Sequence, residues 1–397
     1  MKLLIYDWNS ITKYDLYNEI KKQGIEYELF HSKYSPRVAS EQESFRNDIE
    51  ETLKNKKYDA IFSINFVSML AEAANKKDML YIIWSYDSPS LNGTVEVLKY
   101  DTNHIFLFDS SEYEEYKEYD IKNLYYLPLA VNAERLGNMM PYPLTKMRYY
   151  ADVSFVGQLY QSDMDKIFPL FDEYSAGYIA ALINTQMNVH GINFIRELIT
   201  DKMIERLCNK DVSRALVDNL NNGFFHDIEN LETKGFNGFL LKAVTNKERV
   251  LILSLLAKYF RVNLFTKDVP NISNVKLCGI VDYNFDMPLV FKCSKINLNM
   301  TLRNIRHGIP QRVLDIMGSG GVALTNYQKD MDEYFKDHDN VLIYHCAEEA
   351  LDKCKFYLKN TSLAEKIRDK GYETVKKNFS YEERLNYIWK TCGLKND

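Results

Sequence analysis

The sequence predicts an α/β chain built from two Rossmann-like domains in tandem, the second carrying a helical insertion. Three observations lead there. Short apolar runs alternate with stretches of helical spacing over roughly the first 135 residues. A second alternating series opens near residue 153, beyond the polar, Pro-containing stretch Asn132–Thr145, which reads as a linker. From about 161 to 240 the spacing is almost entirely helical, with no convincing strand. Alternation of this kind makes βαβ units, whose parallel strands are covered by helices on both faces. In such open sheets ligands sit beyond the carboxyl ends of the strands, so the expected site is a cleft between the two domains.

In the first domain Lys2–Tyr6, Tyr27–Phe30, Ala60–Ser63, Leu80–Trp84, Ile105–Phe108 and Leu124–Leu127 are apolar runs of strand length. Thr12–Gln23, Ser40–Asn55 and Val67–Ala74 carry apolar residues at helical spacing, and Gly24 is a natural stop for the first of them. In the second domain Val153–Val156 ends at Gly157, and Val262–Phe265, Asn274–Leu277, Ile296–Met300, Val322–Leu324 and Val341–Tyr344 follow as strands. Arg249–Tyr259 is a helix, and Ala347–Leu358, Ser362–Lys377 and Tyr381–Cys392 close the chain as three more. There is no internal repeat and no low-complexity tract.

The 397 residues suit two or three domains. Apolar residues are 46% and charged residues 26%, enough to fill sizeable cores and unlike a disordered chain. Lys+Arg is 50 against 55 Asp+Glu, a net charge of −5, which is a poor basis for broad binding to nucleic acid or anionic membranes but leaves room for a local basic pocket. The N-terminal MKLLIYDWNS is interrupted by Asp7 and Asn9 and so lacks the apolar core of a signal peptide. No run reaches the ~18 apolar residues of a membrane span. The six cysteines, Cys208, Cys278, Cys293, Cys346, Cys354 and Cys392, form no CxxC pair and have no histidine at zinc spacing. They read as reduced core thiols of a cytoplasmic protein.

The stretch Ile296–Thr325, INLNMTLRNIRHGIPQRVLDIMGSGGVALT, carries the chemistry. It reads as strand, loop, helix, glycine turn, strand. Asn299 lies at the end of the strand, Arg303, Arg306 and His307 lie in the loop, and Pro310 stands where a first helical residue is favoured. Cations beside a helix N-terminus suit phosphate, because unsatisfied N–H groups and the helix dipole face the anion and Arg adds bidentate hydrogen bonds. Arg312 and Asp315 share one helix face; an acidic group there either accepts hydrogen bonds from ribose hydroxyls or forms an exposed ion pair. Gly320 and Gly321, with Gly318, either let backbone approach a donor closely or simply stop the helix.

The string RHGIPQRVLDIMGSGGVALTNYQKDMDEYF resembles the C-terminal signature of the CgeB-like glycosyltransferases, relatives of the group-1 glycosyltransferase families with the GT-B fold. DVSFVGQLY, NFSYEERLNYIW, IIWSYDSP and YLPLAVN resemble the same family, so the likeness spans nearly the whole chain and is most specific at residues 296–335. It implies a GT-B enzyme with an acceptor-side domain at 1–135 and a nucleotide-sugar-binding domain at 136–378. A C-terminal helix at 379–397 would cross back onto the first domain. The related GT4-type enzymes carry two glutamates in the pattern E-x7-E. The second, which binds ribose hydroxyls, falls on Asp315; the first, which contacts the sugar, falls on His307. His307 then either hydrogen-bonds a sugar hydroxyl or the β-phosphate, or packs the loop. The departure leaves donor sugar and stereochemistry open.

The resemblance also makes Val281 and Tyr283 candidate contacts for the base, and Gly157 a point where backbone nears the donor or merely turns. Arg249 either reaches a phosphate or is a solvated charge at a helix start. Asp87 in WSYDSPS follows an apolar strand; it is either the general base for the acceptor hydroxyl or a cap on the turn before Pro89. Asn65 and Trp84 are candidates for the acceptor side, while His190 and His226 read as structural. The expected reaction is transfer of a sugar from a nucleotide diphosphate, UDP above all, to a protein or glycan acceptor. No metal or other cofactor is expected, since Asp330 and Asp332 are not placed at a phosphate loop. The rival readings are an epimerase or hydrolase of the same fold and a non-catalytic nucleotide-sugar binder.

Overall fold

The computed structural model describes residues 1–8, 10–54, 56–91, 93–207, 209–221 and 231–395. His226 and Cys208 lie outside them. The chain divides into two units: Met1–Leu129 with Tyr381–Asp397 belong to the first, Ala130–Leu216 with Phe236–Ser380 to the second. The first division thus falls at Leu129/Ala130, against the expected 135/136.

The first unit holds a six-stranded parallel sheet of β1 (Lys2–Tyr6), β2 (Glu26–Phe30), β3 (Ala60–Ile64), β4 (Leu80–Trp84), β5 (Asn103–Leu107) and β6 (Leu124–Tyr126), in the order β2-β1-β3-β4-β5-β6. Alternation along each strand decides which face a side chain serves. Tyr81 and Ile83 join Ile61, Ile105, Phe45, Ile49 and Leu70 in one core. Trp84, Phe62 and Phe106 point the other way, where Tyr381, Trp389 and Tyr387 of the helix Tyr381–Thr391 meet them with ring centroids 6.2, 6.0 and 6.2 Å apart. Trp389 Nε1 donates to Gln23 Oε1 at 2.9 Å, tying that helix to the end of the helix Lys13–Lys22.

The second unit holds β7 (Ala151–Val156), β8 (Val262–Phe265), β9 (Val275–Leu277), β10 (Ser294–Asn299), β11 (Ala323–Asn326) and β12 (Leu342–Tyr344), parallel in the order β12-β11-β10-β7-β8-β9. Its centre is fixed partly by buried polar pairing: Ser154 Oγ donates to Asn297 Oδ1 at 2.7 Å, and Asn297 Nδ2 to the Phe291 carbonyl at 3.0 Å. Between β7 and β8 the elements formed by the described residues are all helices, the last being the long helix Leu231–Leu256.

Two expectations change here. The stretch read as a linker contains the helices Ala133–Asn138 and Pro143–Tyr149. Both are too short to show a period; the first is capped by Asn132, which accepts from Arg135 N at 3.0 Å, and the second opens on a proline. The described cysteines are free, but only Cys354 and Cys392 are buried; Cys278 and Cys293 are half-buried, and Cys346 is exposed just before the helix Ala347–Lys359.

Each sheet reverses its winding once. In the first, β1 leads outward to β2 and then inward to β3; in the second, β7 leads to β8 and β9 before the chain returns to β10 on its other side. The carboxyl ends of β1/β3 and of β7/β10 are therefore where an open α/β sheet parts its loops to make a crevice.

Candidate functional site

At the β1/β3 crevice the first unit has a hollow of about 60 Å³, open to solvent, whose walls include Tyr6, Trp8, Arg37, Asn65, Phe66 and Asp87. Asn65 follows β3 with a left-handed backbone, φ 64°, which Asn tolerates better than most residues. Its Oδ1 accepts from the backbone N–H groups of Tyr86 (2.8 Å) and Asp87 (3.2 Å), and its Nδ2 donates to Asp87 Oδ2 at 2.6 Å. Asn65 thus clamps the segment after β4 and presents Asp87 to the hollow. Burial pushes the Asp87 carboxyl up to about 6, against the opposing pull of the Asn65 hydrogen bond and the Arg37 charge. The carboxylate accepts from Asn65 and from no N–H of the turn before Pro89. Arg37 lies over the Trp8 ring, 4.8 Å from its centroid.

Beneath this segment lies a second pair of carboxylates. Glu112 Oε1 accepts from Ser90 N (2.7 Å), Ser90 Oγ (3.1 Å) and Leu91 N (3.3 Å), while Ser88 Oγ donates to Asp109 Oδ2 at 3.1 Å. Burial, aided by the neighbouring Asp109 charge, raises Glu112 to about 7. Trp84 does not line the hollow. Strand alternation turns it to the opposite face, fully buried against Tyr86 and Tyr381.

The β7/β10 crevice of the second unit is built differently. Arg249 lies inside the helix Leu231–Leu256, and its guanidinium donates to the carbonyls of Gln158, after β7, and Met300, after β10. It is buried over Phe155 and Tyr160, at 5.3 and 5.4 Å, and desolvation lowers its pKa. It is neither a helix-start charge nor solvated; it staples the two loops across the switch in winding. Gly157 closes β7, its N–H donating to the Phe265 carbonyl at 3.0 Å.

Arg303, expected to face phosphate, is committed to protein. Its Nε donates to Glu248 at 3.0 Å, and both partners' side chains are 7% exposed. Its terminal nitrogens donate to the Val189 carbonyl (3.0 Å) and the Met187 carbonyl (2.9 Å) and reach His190 Nδ1 at 2.9 Å. Burial, with the Arg303 charge, pushes His190 down to about 4, so it stands neutral. Asn299 is likewise used internally, donating to Thr301 (3.1 Å) and Thr325 (2.9 Å). Arg306 and His307 are half-buried in the loop; Arg306 lines a small recess with His190 and Gln328, and the His307 carbonyl accepts from Asp330 N at 3.1 Å.

The helix Gln311–Gly318 has Pro310 as its N-cap residue, and no side chain caps its first turn. One turn in, Asp315 collects Tyr283 Oη (2.9 Å), Gln311 Nε2 (3.0 Å) and Arg312 Nη1 (3.1 Å). The fold therefore brings Tyr283, from the loop after β9, to the acidic residue of the signature; Val281 lies half-buried in the same loop. Arg312 packs over the rings of Tyr283 (6.0 Å) and Phe291 (5.8 Å). Gly320 and Gly321 are placed elsewhere. They follow the helix C-terminus and lead into the amino end of β11, about 12 Å along the axis from the first turn. There Gly320 has φ +73°, and a Cβ on Gly321 would come 2.6 Å from Asn297 Nδ2. They stop the helix and let it close on the sheet, at the end away from the crevice.

Among the described residues no three His, Cys, Asp or Glu side chains converge to hold a metal ion, and no helix is long and apolar enough to cross a membrane. Sequence reading missed Trp8, Arg37, Glu112 and the Glu248 partner of Arg303. A signal existed for Trp8, which lies two residues past the first strand's carboxyl end.

Residues 237–390 match the glycosyl transferase-like family model. Compared with curated protein sequences, none matches. Solved structures do. Sucrose-phosphate synthase from Thermosynechococcus elongatus aligns with TM-score 0.58 at 8% identity over 98% of each chain. HepE of Anabaena, in complex with UDP-glucose, aligns with TM-score 0.56 at 11% identity over 99% of each. A glycosyltransferase from Rickettsia africae aligns with TM-score 0.52 at 11% identity, over 100% of this chain and 99% of that one. Likeness at this level of identity is a likeness of fold, and the fold is GT-B: two α/β units, each with a parallel six-stranded sheet.

Proposed function

We propose that the chain is a CgeB-like glycosyltransferase that moves a sugar from a nucleotide diphosphate, with UDP as the nucleotide, to a hydroxyl of a protein or glycan acceptor. The observation that carries this reading is Asp87: a carboxylate held by Asn65 in an open hollow, with its pKa raised to about 6 by burial. That is a base poised to take a proton near neutral pH. UDP is chosen because the HepE relative is described with UDP-glucose.

Asp87 accepts the proton of the acceptor hydroxyl as its oxygen bonds to the anomeric carbon and the bond to the diphosphate breaks. The uncapped N-terminus of the helix Gln311–Gly318 receives the diphosphate, with Arg306 nearby, and stabilises the charge that develops on the leaving oxygen. Asp315 and Tyr283 hold the ribose, Val281 lies beside the base, and His307 contacts the sugar or the β-phosphate. Arg303, Arg249 and Asn299 position these loops. The reaction proceeds without a metal, in the cytoplasm. His307 in place of the first glutamate of E-x7-E favours a second reading, a hydrolase or a binder without turnover.

The test is UDP release from a panel of UDP-sugars, with and without acceptor extracts, in excess EDTA. Acceptor-dependent release that survives EDTA supports the transferase. Release without acceptor marks the hydrolase, binding without release marks the binder, and activity lost to EDTA and restored by Mn²⁺ overturns metal independence.

A further inference from the structure

The helix Pro143–Tyr149 and its lead-in present an apolar surface that the transfer reaction does not use. The outer stripe follows helical spacing: Leu144, Met147 and Arg148 lie at i, i+3 and i+4, while Thr145 and Tyr149 turn inward. Met140, Tyr142, Leu144 and Met147 are 77, 79, 79 and 73% exposed. Single exposed apolar residues are ordinary, but four large ones within eight residues form a patch.

The charge around the patch is cationic, in a chain whose net charge is −5. Lys146 and Arg148 stand on the helix itself, exposed. Tyr150, the next residue, lies under both Arg261 and Lys295, at 5.5 Å each. Asp152 pairs with Lys295 at 2.9 Å, so those two charges offset each other, and Asp286, which accepts from Tyr149 Oη at 3.0 Å, stands against Lys146, Arg148 and Arg261.

We propose that this patch seats the second unit on an anionic lipid surface, with Leu144, Met147, Met140 and the Tyr142 ring in the headgroup boundary and Lys146 and Arg148 on the lipid phosphates. An apolar stripe with an aromatic ring and flanking cations is the composition that lies in such an interface. A second copy of this chain fits less well. A two-fold contact would set Lys146 and Arg148 against themselves, and a handful of side chains falls far short of the ~20–30 residues a side of a standard interface.

The test is cosedimentation of the full chain with phosphatidylglycerol–phosphatidylcholine vesicles and with pure phosphatidylcholine vesicles. Partition onto the anionic vesicles, weakened by salt, is the expected result. Lys146→Gln with Arg148→Gln should lower it about 25-fold, at roughly 5-fold per charge. Leu144→Ser with Met147→Ser should lower it at least as far, with an unchanged thermal melt because both side chains are exposed. Equal binding by wild type and variants, or no preference for anionic vesicles, overturns the proposal. So does a concentration-dependent dimer, seen by sedimentation, that the Leu144/Met147 variant abolishes while vesicles remain unbound. None of these readouts depends on sugar transfer.

Discussion

The two crevices occupy the same topological position and are furnished in opposite ways. At β1/β3 the polar groups are few and face an open hollow, with Asp87 presented by one clamp, Asn65. At β7/β10 the strongest charges are turned inward: Arg249 staples two loops, and Arg303 is enclosed by Glu248, His190 and two carbonyls. The difference teaches that an arginine beside a strand end is not thereby a phosphate ligand. The groups proposed to meet a ligand at the second crevice are the backbone N–H at a helix start, the half-buried Arg306 and His307, and the Asp315–Tyr283 pair.

Breaking the first crevice should give the largest effect. Asp87→Asn should lower kcat by about 10²–10⁴-fold, the usual loss of a general base, with UDP affinity and melting temperature kept. In the wild type kcat/KM should rise with pH through about 6 as Asp87 loses its proton, and the variant should lack that limb. Normal turnover in the variant removes Asp87 from the chemistry; an early melt makes it structural.

The second crevice should answer with stability. Arg303→Ala leaves Glu248 buried and unpaired and should cost about 3–5 kcal/mol, read as a loss in denaturant unfolding. Replacing Arg303 and Glu248 together by Met and Leu should recover most of it. If Arg303→Ala unfolds normally yet loses UDP affinity, the contrast between the crevices fails.

Glu112→Gln probes the support of the first crevice. Its carboxyl is raised to about 7, so the folded chain keeps a proton that the unfolded chain has lost. That stability is complete below the ordinary value near 4.5 and is lost as pH rises through about 7. The amide should therefore raise stability at pH 8 by roughly 3 kcal/mol and do little at pH 4. Equal stability at both pH values would mean that Glu112 is not held neutral.

The smallest effect sharpens the second crevice. Asp315→Ala should weaken UDP binding by about 1–3 kcal/mol, as expected for a charge-assisted hydrogen bond. Calorimetry with unchanged affinity would assign Asp315 to holding Tyr283 and Arg312 alone.

Much of this fold was legible in the sequence. Each strand was readable to within two residues at either end, because short apolar runs between turns have few alternatives. The helices of residues 133–149 were not, because caps and a leading proline make them rather than a period. Asp87 and Asn65 could be singled out by their place after strands. The commitment of Arg303 could not: Glu248 and His190 lie 55 and 113 residues away, and only the crossing of the chain brings them together. The fate of Trp84 turned on strand parity, and that of Gly320 and Gly321 on the helix running antiparallel to its strands. Both follow from topology once it is known.

The enclosure of Arg303 gives the insertion between β7 and β8 one structural task. Met187, Val189 and His190 come from that insertion and close over the guanidinium like a stopper in a bottle. Trimming the chain there would uncover the Arg303–Glu248 pair at the mouth of the second sheet and strip the guanidinium of its carbonyl and imidazole partners. The extra helices and the inward-turned arginine form one module, and a graft that moves either without the other would leave a half-covered ion pair in place of an enclosed one.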